Sequence, residues 1–189
     1  MPRALFLLLT AALLSIAPAA RADLTSWLSL GGGYSLSYDQ VATRLDAVGT
    51  FSGTIGVGTT PVAPIVVGGV FRTTTRFSLG TDIGVMARVT TGGFSRGDWG
   101  FGFDIGPSMR WWRAGDYGRY PLQGVLLGGL PWGLQVAVGA DLVNLGGDPP
   151  ARGGFMLLEF DLLRFTLMRQ GSTDAAWKNP SPAGGRMPD

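Results

Sequence analysis

The chain contains no cysteine and no histidine, and its one lysine is Lys178. Without cysteine, neither disulfides nor a lipid-modified N-terminal cysteine can form. Without histidine, the commonest general base and the commonest metal ligand are both missing. A surface built to face water usually carries far more lysine than this. Beyond residue 22, no apolar run approaches the roughly 20 residues of a membrane-spanning helix. The glycine-rich stretches SLGGGYS and TTGGFS are not phosphate loops, because neither has a strand-to-helix context or a following Lys-Ser/Thr.

What is present begins with an address. Arg3 precedes an apolar stretch from Ala4 to Ala17, interrupted only by Thr10 and Ser15 and ended by Pro18. Ala20-Arg21-Ala22 then offers the small-x-small pattern of a signal-peptidase site. The stretch is too short to span a membrane as a helix. A signal peptide over residues 1–22 is therefore expected, with export from the cytoplasm. Removing Arg3 and Arg21 takes Lys+Arg from 15 to 13, equal to the 13 Asp+Glu. A formally neutral mature chain gives no ground for a nucleic-acid partner. The segment 171–189 is rich in Pro, Gly, Ser and Asn and is expected to be a disordered tail. One domain, residues 23–170, remains.

Within that domain, WGFGFDIGPSMRWWR (Trp99–Arg113) sets the pattern. Every second residue from Trp99 to Trp111 is apolar, and those between are small or polar. Such alternation is an extended strand with two unlike faces. Eight alternating segments follow from it, near 27–38, 44–58, 65–79, 82–90, 99–111, 119–130, 132–142 and 155–168. Gly, Pro, Asp and Asn cluster between them, where tight turns need unusual or preset φ. No connection has room for a helical crossover, so neighbouring strands are expected to be antiparallel. The sixth segment is ambiguous, since LQGVLLGGL is apolar on both phases. In the segments, Arg44, Asp46, Arg72, Arg76, Asp82, Arg88, Asp104, Arg110, Asp141, Glu159 and Asp161 all fall opposite the apolar phase.

Two eight-stranded barrels fit an alternating meander, and each is the other turned inside out. A soluble lipocalin-like barrel lines its cavity with the apolar phase. A membrane barrel turns that phase toward lipid and fills its lumen with the polar one. Eight strands enclose only enough room for side chains or one small ligand. The apolar phase, with its Trp, Phe and Tyr rings, would overfill that space, whereas the other phase is mostly Gly, Ser and Thr. The bulky phase therefore points outward, and only lipid tolerates so much exposed apolar surface. Trp27, Tyr38, Trp99, Trp111, Trp112, Tyr117, Tyr120 and Trp132 lie at or near segment ends, as two interfacial aromatic girdles would require. The expected fold is all-β, an eight-stranded antiparallel up-and-down transmembrane β-barrel.

On this pattern, over residues 27 to about 168, the chain resembles the small eight-stranded outer-membrane β-barrel proteins of Gram-negative bacteria. The resemblance implies outer-membrane lipid and the barrel-assembly machinery as partners, a monomeric barrel, and envelope-complex subunits as candidate partners. Such proteins often end on an aromatic residue in the last strand. Here STDAAWKNPSPAGGRMPD follows, so the assembly signal would be internal, around Phe160 or Phe165. Small barrels that trim or transfer acyl chains use a histidine, which this chain lacks; no enzymatic activity, catalytic residue, cofactor or metal is expected. Glu159 and Asp161, two apart on one strand face, read as part of an ion-pair ladder rather than an acid/base pair. The structural network expected in the lumen comprises Arg72, Arg76, Arg88, Asp104, Arg110, Asp141, Glu159 and Asp161. The function expected is a structural or accessory envelope barrel with a salt-bridge-plugged lumen. A narrow channel or carrier for small solutes and a soluble periplasmic ligand-binding barrel are the alternatives.

Overall fold

A computed structural model describes residues 24–39, 44–61, 63–112, 118–147 and 153–164. The expected signal peptide over residues 1–22, the expected tail over 171–189, Tyr117 and Phe165 lie outside the described residues. Alternation is realised as eight strands: β1 (Thr25–Asp39), β2 (Arg44–Gly58), β3 (Ile65–Arg76), β4 (Gly80–Thr91), β5 (Gly100–Trp112), β6 (Pro121–Gly129), β7 (Leu134–Asn144) and β8 (Gly153–Asp161). Every sequential pair is antiparallel, and β1 pairs with both β2 and β8, which closes an up-and-down barrel. Closure leaves no strand edge unpaired.

The register defines the barrel's size. Paired residues can be followed around the wall from Thr25 through Gly58, Gly68, Arg88, Asp104, Val125, Gly139 and Phe155. The path returns to β1 at Ser35, ten residues beyond its start. With a rise of about 3.3 Å per residue and strands about 4.8 Å apart, that stagger tilts the strands roughly 40° from the axis. The near rim holds the start of β1 and the end of β8, and the far rim holds Asp39, Trp112 and Asn144.

All the described inward charges occupy the phase expected of them. The ambiguous β6 resolves with Gln123, Val125 and Leu127 inside and Leu126 outside, past a register shift between Leu122 and Gln123. Three expectations change. Trp27 and Trp112 are not girdle residues: Trp27 is buried in the lumen, and the Trp112 indole Nε1 donates inward to Asp82 at 2.8 Å. Both sit on the inner phase of their strands, so position near a strand end does not decide their direction. β8 stops at Asp161 rather than 168, because Asp161 Oδ1 accepts from the backbone N–H groups of Leu163 and Arg164 and turns the chain. The connection after β4 is not a simple turn but carries α1 (Gly92–Ser95), capped by Thr91, whose Oγ1 accepts from Phe94 N.

The lumen packs large side chains against missing ones. Phe94 on α1 closes the near rim: a Cβ on Gly129 would come within 2.8 Å of its ring, and one on Gly100 would collide with its backbone N and with Thr91 Oγ1. Trp27 uses the same device, since a Cβ on Gly58 would lie 2.5 Å from its ring and one on Gly68 2.8 Å. Val66, Val70, Met86, Val125, Leu127 and Leu157 fill further space within the wall. The inner phase is thus more apolar than a purely polar lumen would be. We expect Gly58→Ala to destabilise the barrel by about 1–3 kcal/mol through overpacking. In a Trp27→Leu background the cost should fall markedly, as measured by denaturant unfolding followed by tryptophan emission.

Candidate functional site: the polar lumen

Two groups of ion pairs and a rim clamp occupy the interior. In the middle, Arg88 and Asp104 face each other across β4 and β5, with Nε–Oδ1 and Nη2–Oδ2 both at 2.7 Å. Arg72 of β3 spans the lumen to Glu159 of β8, with Nη1–Oε1 at 2.7 Å and Nη2–Oε2 at 3.3 Å. Its Nη2 also lies 3.8 Å from Asp104 Oδ2, which joins the two pairs. Ser52 Oγ accepts from Arg72, and Gln135 Nε2 donates to Glu159 at 2.7 Å. Strands that never touch in the sheet are thereby tied together through the core.

Toward the far rim, Asp82 is the hub. Its Oδ1 accepts from Arg110 Nε at 3.0 Å and Trp112 Nε1 at 2.8 Å. Its Oδ2 accepts from Arg110 Nη2 at 3.1 Å, Gln123 Nε2 at 3.2 Å and Arg76 Nη1. Arg110 Nη2 bridges onward to Asp141 at 2.7 Å, and Gln123 donates to the same carboxylate at 2.9 Å. Two guanidiniums lie over the Trp112 ring, that of Arg110 at 4.0 Å and that of Arg76 at 4.9 Å. Cation–π attraction of this kind strengthens when the cation is desolvated. Arg88 stacks similarly on Trp27 at 5.1 Å.

At the near rim Arg164 acts as a clamp. It pairs with Asp161, donates through Nε and Nη2 to the Ser95 carbonyl, and donates through Nη1 to the Ser26 carbonyl at 2.9 Å. It thereby ties α1 to β1 and to the turn after β8. Burial holds its guanidinium below the ordinary range, while Asp161 pulls in the opposite direction.

The eight residues named from sequence are all brought inside: Arg72, Arg76, Arg88, Asp104, Arg110, Asp141, Glu159 and Asp161. They do not form one network, since Asp161 belongs to the rim clamp. Sequence reasoning placed Asp82 on the inner phase but left it out of the network, although Asp82 and Arg110 are cross-strand partners. Arg164 was missed because the last segment was carried on to residue 168, which put Arg164 on the apolar, outward phase, whereas the chain turns after Asp161. Gln123 and Gln135 were missed because uncharged polar residues do not stand out from Ser and Thr on the same phase.

Five guanidiniums therefore meet five carboxylates in the buried ion pairs. Each carboxylate is held by a guanidinium, and no group of His, Cys, Asp and Glu able to hold a metal ion occurs among the described residues. Along β1–β3, however, the hydroxyls of Ser29, Thr54 and Thr74 and the Nε and Nη2 of Arg76 have no hydrogen-bond partner among the described residues. No protein-family model, curated protein or solved structure matches the chain.

Asp82→Asn should destabilise the barrel by about 3–5 kcal/mol, because Arg76 loses its only carboxylate among the described residues and stays buried. Arg76→Met in the same chain should recover a large part of that loss, read as the shift in unfolding midpoint. Arg164→Ala should speed amide hydrogen exchange over residues 92–97 far more than over the strands.

Proposed function

We infer that the chain is an integral outer-membrane β-barrel with an ion-pair-plugged lumen, acting as a structural or accessory protein of the envelope. The observation that carries this reading is the partition of the two faces. Outward, large apolar side chains stand exposed, Phe101 by 75%, Trp99 by 68% and Leu126 by 63%. Inward, Arg72, Arg76, Arg88 and Arg110 are each no more than 4% exposed. A barrel dissolved in water favours the reverse arrangement, because exposed apolar surface costs about 25 cal/mol per Å².

Further features agree with lipid as the outer solvent. The strands run from 9 to 15 residues, and a tilted transmembrane strand needs about 9–11. Trp99 and Trp132 are exposed at the near rim, and Trp111 and Tyr120 at the far rim. With the half-buried Tyr38 near the end of β1, these four keep the girdle reading after Trp27 and Trp112 have left it. Phe160, 41% exposed on β8, is available to the assembly machinery as an internal signal. Balanced charge inside offers an ion neither attraction nor a replacement for its water shell. With every network carboxylate engaged, the lumen suits a plug better than a catalytic site. Partners on this reading are outer-membrane lipid and envelope-complex subunits, with the barrel itself monomeric.

A second reading, a narrow conduit for small solutes, is favoured by the under-bonded wall of β1–β3. Membrane fractionation and heat-modifiable gel migration test insertion: the protein should need detergent and migrate faster unboiled. Planar-bilayer recording tests the plug: no steady conductance is expected, and stable unitary steps would favour the conduit instead.

A further inference from the structure

One feature of the near rim belongs to neither the lumen nor its network. A depression of about 490 Å³ lies between the β2–β3 connection, α1 and the start of β5, lined by Pro64, Gly92, Gly93, Arg96, Trp99 and Phe101 among others. Glycine lets the backbone pack closely around it, because a Cβ on Gly92 would collide with the Ala63 carbonyl and one on Gly93 with that of Trp99. Arg96 is exposed at its edge, its Nη1 donating to the Pro61 carbonyl at 3.3 Å. Unlike the lumen arginines, it has no carboxylate partner among the described residues.

Along the outer wall the chemistry changes in a fixed order. The cation lies at the rim, followed by the exposed rings of Trp99 and Phe101. Toward the far rim come Phe103, Val89 and Val67, exposed and side by side in register. A glycerophospholipid carries the same order, from phosphodiester through glycerol esters to acyl chains. We propose that this hollow binds one glycerophospholipid of the leaflet at the near rim, with its phosphodiester on the Arg96 guanidinium and its chains along Phe101, Phe103, Val89 and Val67. The proposal rests on the membrane reading above.

Three considerations select a lipid over other occupants. The volume falls within the roughly 300–1,000 Å³ of small-molecule sites. A guanidinium without a carboxylate partner is free to make charge-assisted hydrogen bonds to a phosphate. Two of its lining residues, Trp99 and Phe101, stand exposed on the apolar outer wall, which faces acyl chains on the membrane reading.

Native mass spectrometry of the detergent-purified full chain, titrated with phosphatidylglycerol, tests the site. One lipid should survive activation that strips the others. Arg96→Gln should weaken its retention about tenfold, while Arg119→Gln, which removes an exposed cation at the far rim, should leave it unchanged. Heat-modifiable migration confirms that each variant is folded. Equal retention in the Arg96→Gln and unaltered chains overturns the proposal. Displacement by sn-glycerol 3-phosphate also overturns it, in favour of a soluble phosphate ester. A chain that stays soluble without detergent and retains no lipid removes the membrane reading itself, whereas loss of selectivity at Arg96 in an inserted barrel removes only the site.

Discussion

Desolvation of five arginines is the constraint that the interior has to satisfy. Moving a guanidinium out of water costs several kcal/mol, and one ion pair returns that only with good geometry and further hydrogen bonds. The barrel meets the requirement by giving the arginines several partners. Arg110 has two carboxylates and an indole face, and Arg72 has Glu159, Ser52 and a distant Asp104. Because Glu159 and Asp141 come from strands that do not neighbour those of their arginines, satisfying the charges also fixes how the wall closes. Arg72–Glu159 joins β3 to β8 across the lumen, and Arg110–Asp141 passes over β6 from β5 to β7.

Space imposes the second constraint. Eight strands staggered by ten residues leave a narrow interior, and Trp27, Phe94 and Phe155 occupy it only where the facing wall lacks side chains. The inward glycines thus do more than let the wall curve: several are negatives of particular rings. Tight filling, with charges balanced inside and large apolar side chains outside, is what the proposed membrane reading rests on. The same contrast explains why Arg96 stands apart, as an arginine at the rim that the interior does not need.

Much of this was legible from alternation. Strand number, antiparallel order and the inward placement of Arg72, Arg88, Asp104 and Glu159 all follow from a two-residue period, because side-chain direction in a strand is a local property. The tryptophans were less legible. Trp27 and Trp99 both lie near strand ends, yet one is buried and the other exposed, and only phase relative to the closed wall distinguishes them. In β6 both phases are apolar, so its direction was settled by pairing with β5 and β7 rather than by its own residues.

Sequence alone determined which residues could share a face, since that depends only on neighbours two apart along the chain. Tertiary structure decided which of them meet: Asp82 as a hub, Arg164 as a clamp beyond the last strand, and Arg72 reaching Glu159. Those contacts depend on stagger and closure, which bring together residues as far as 138 positions apart. A periodic pattern carries no information about that distance, because it repeats identically whichever strands become neighbours.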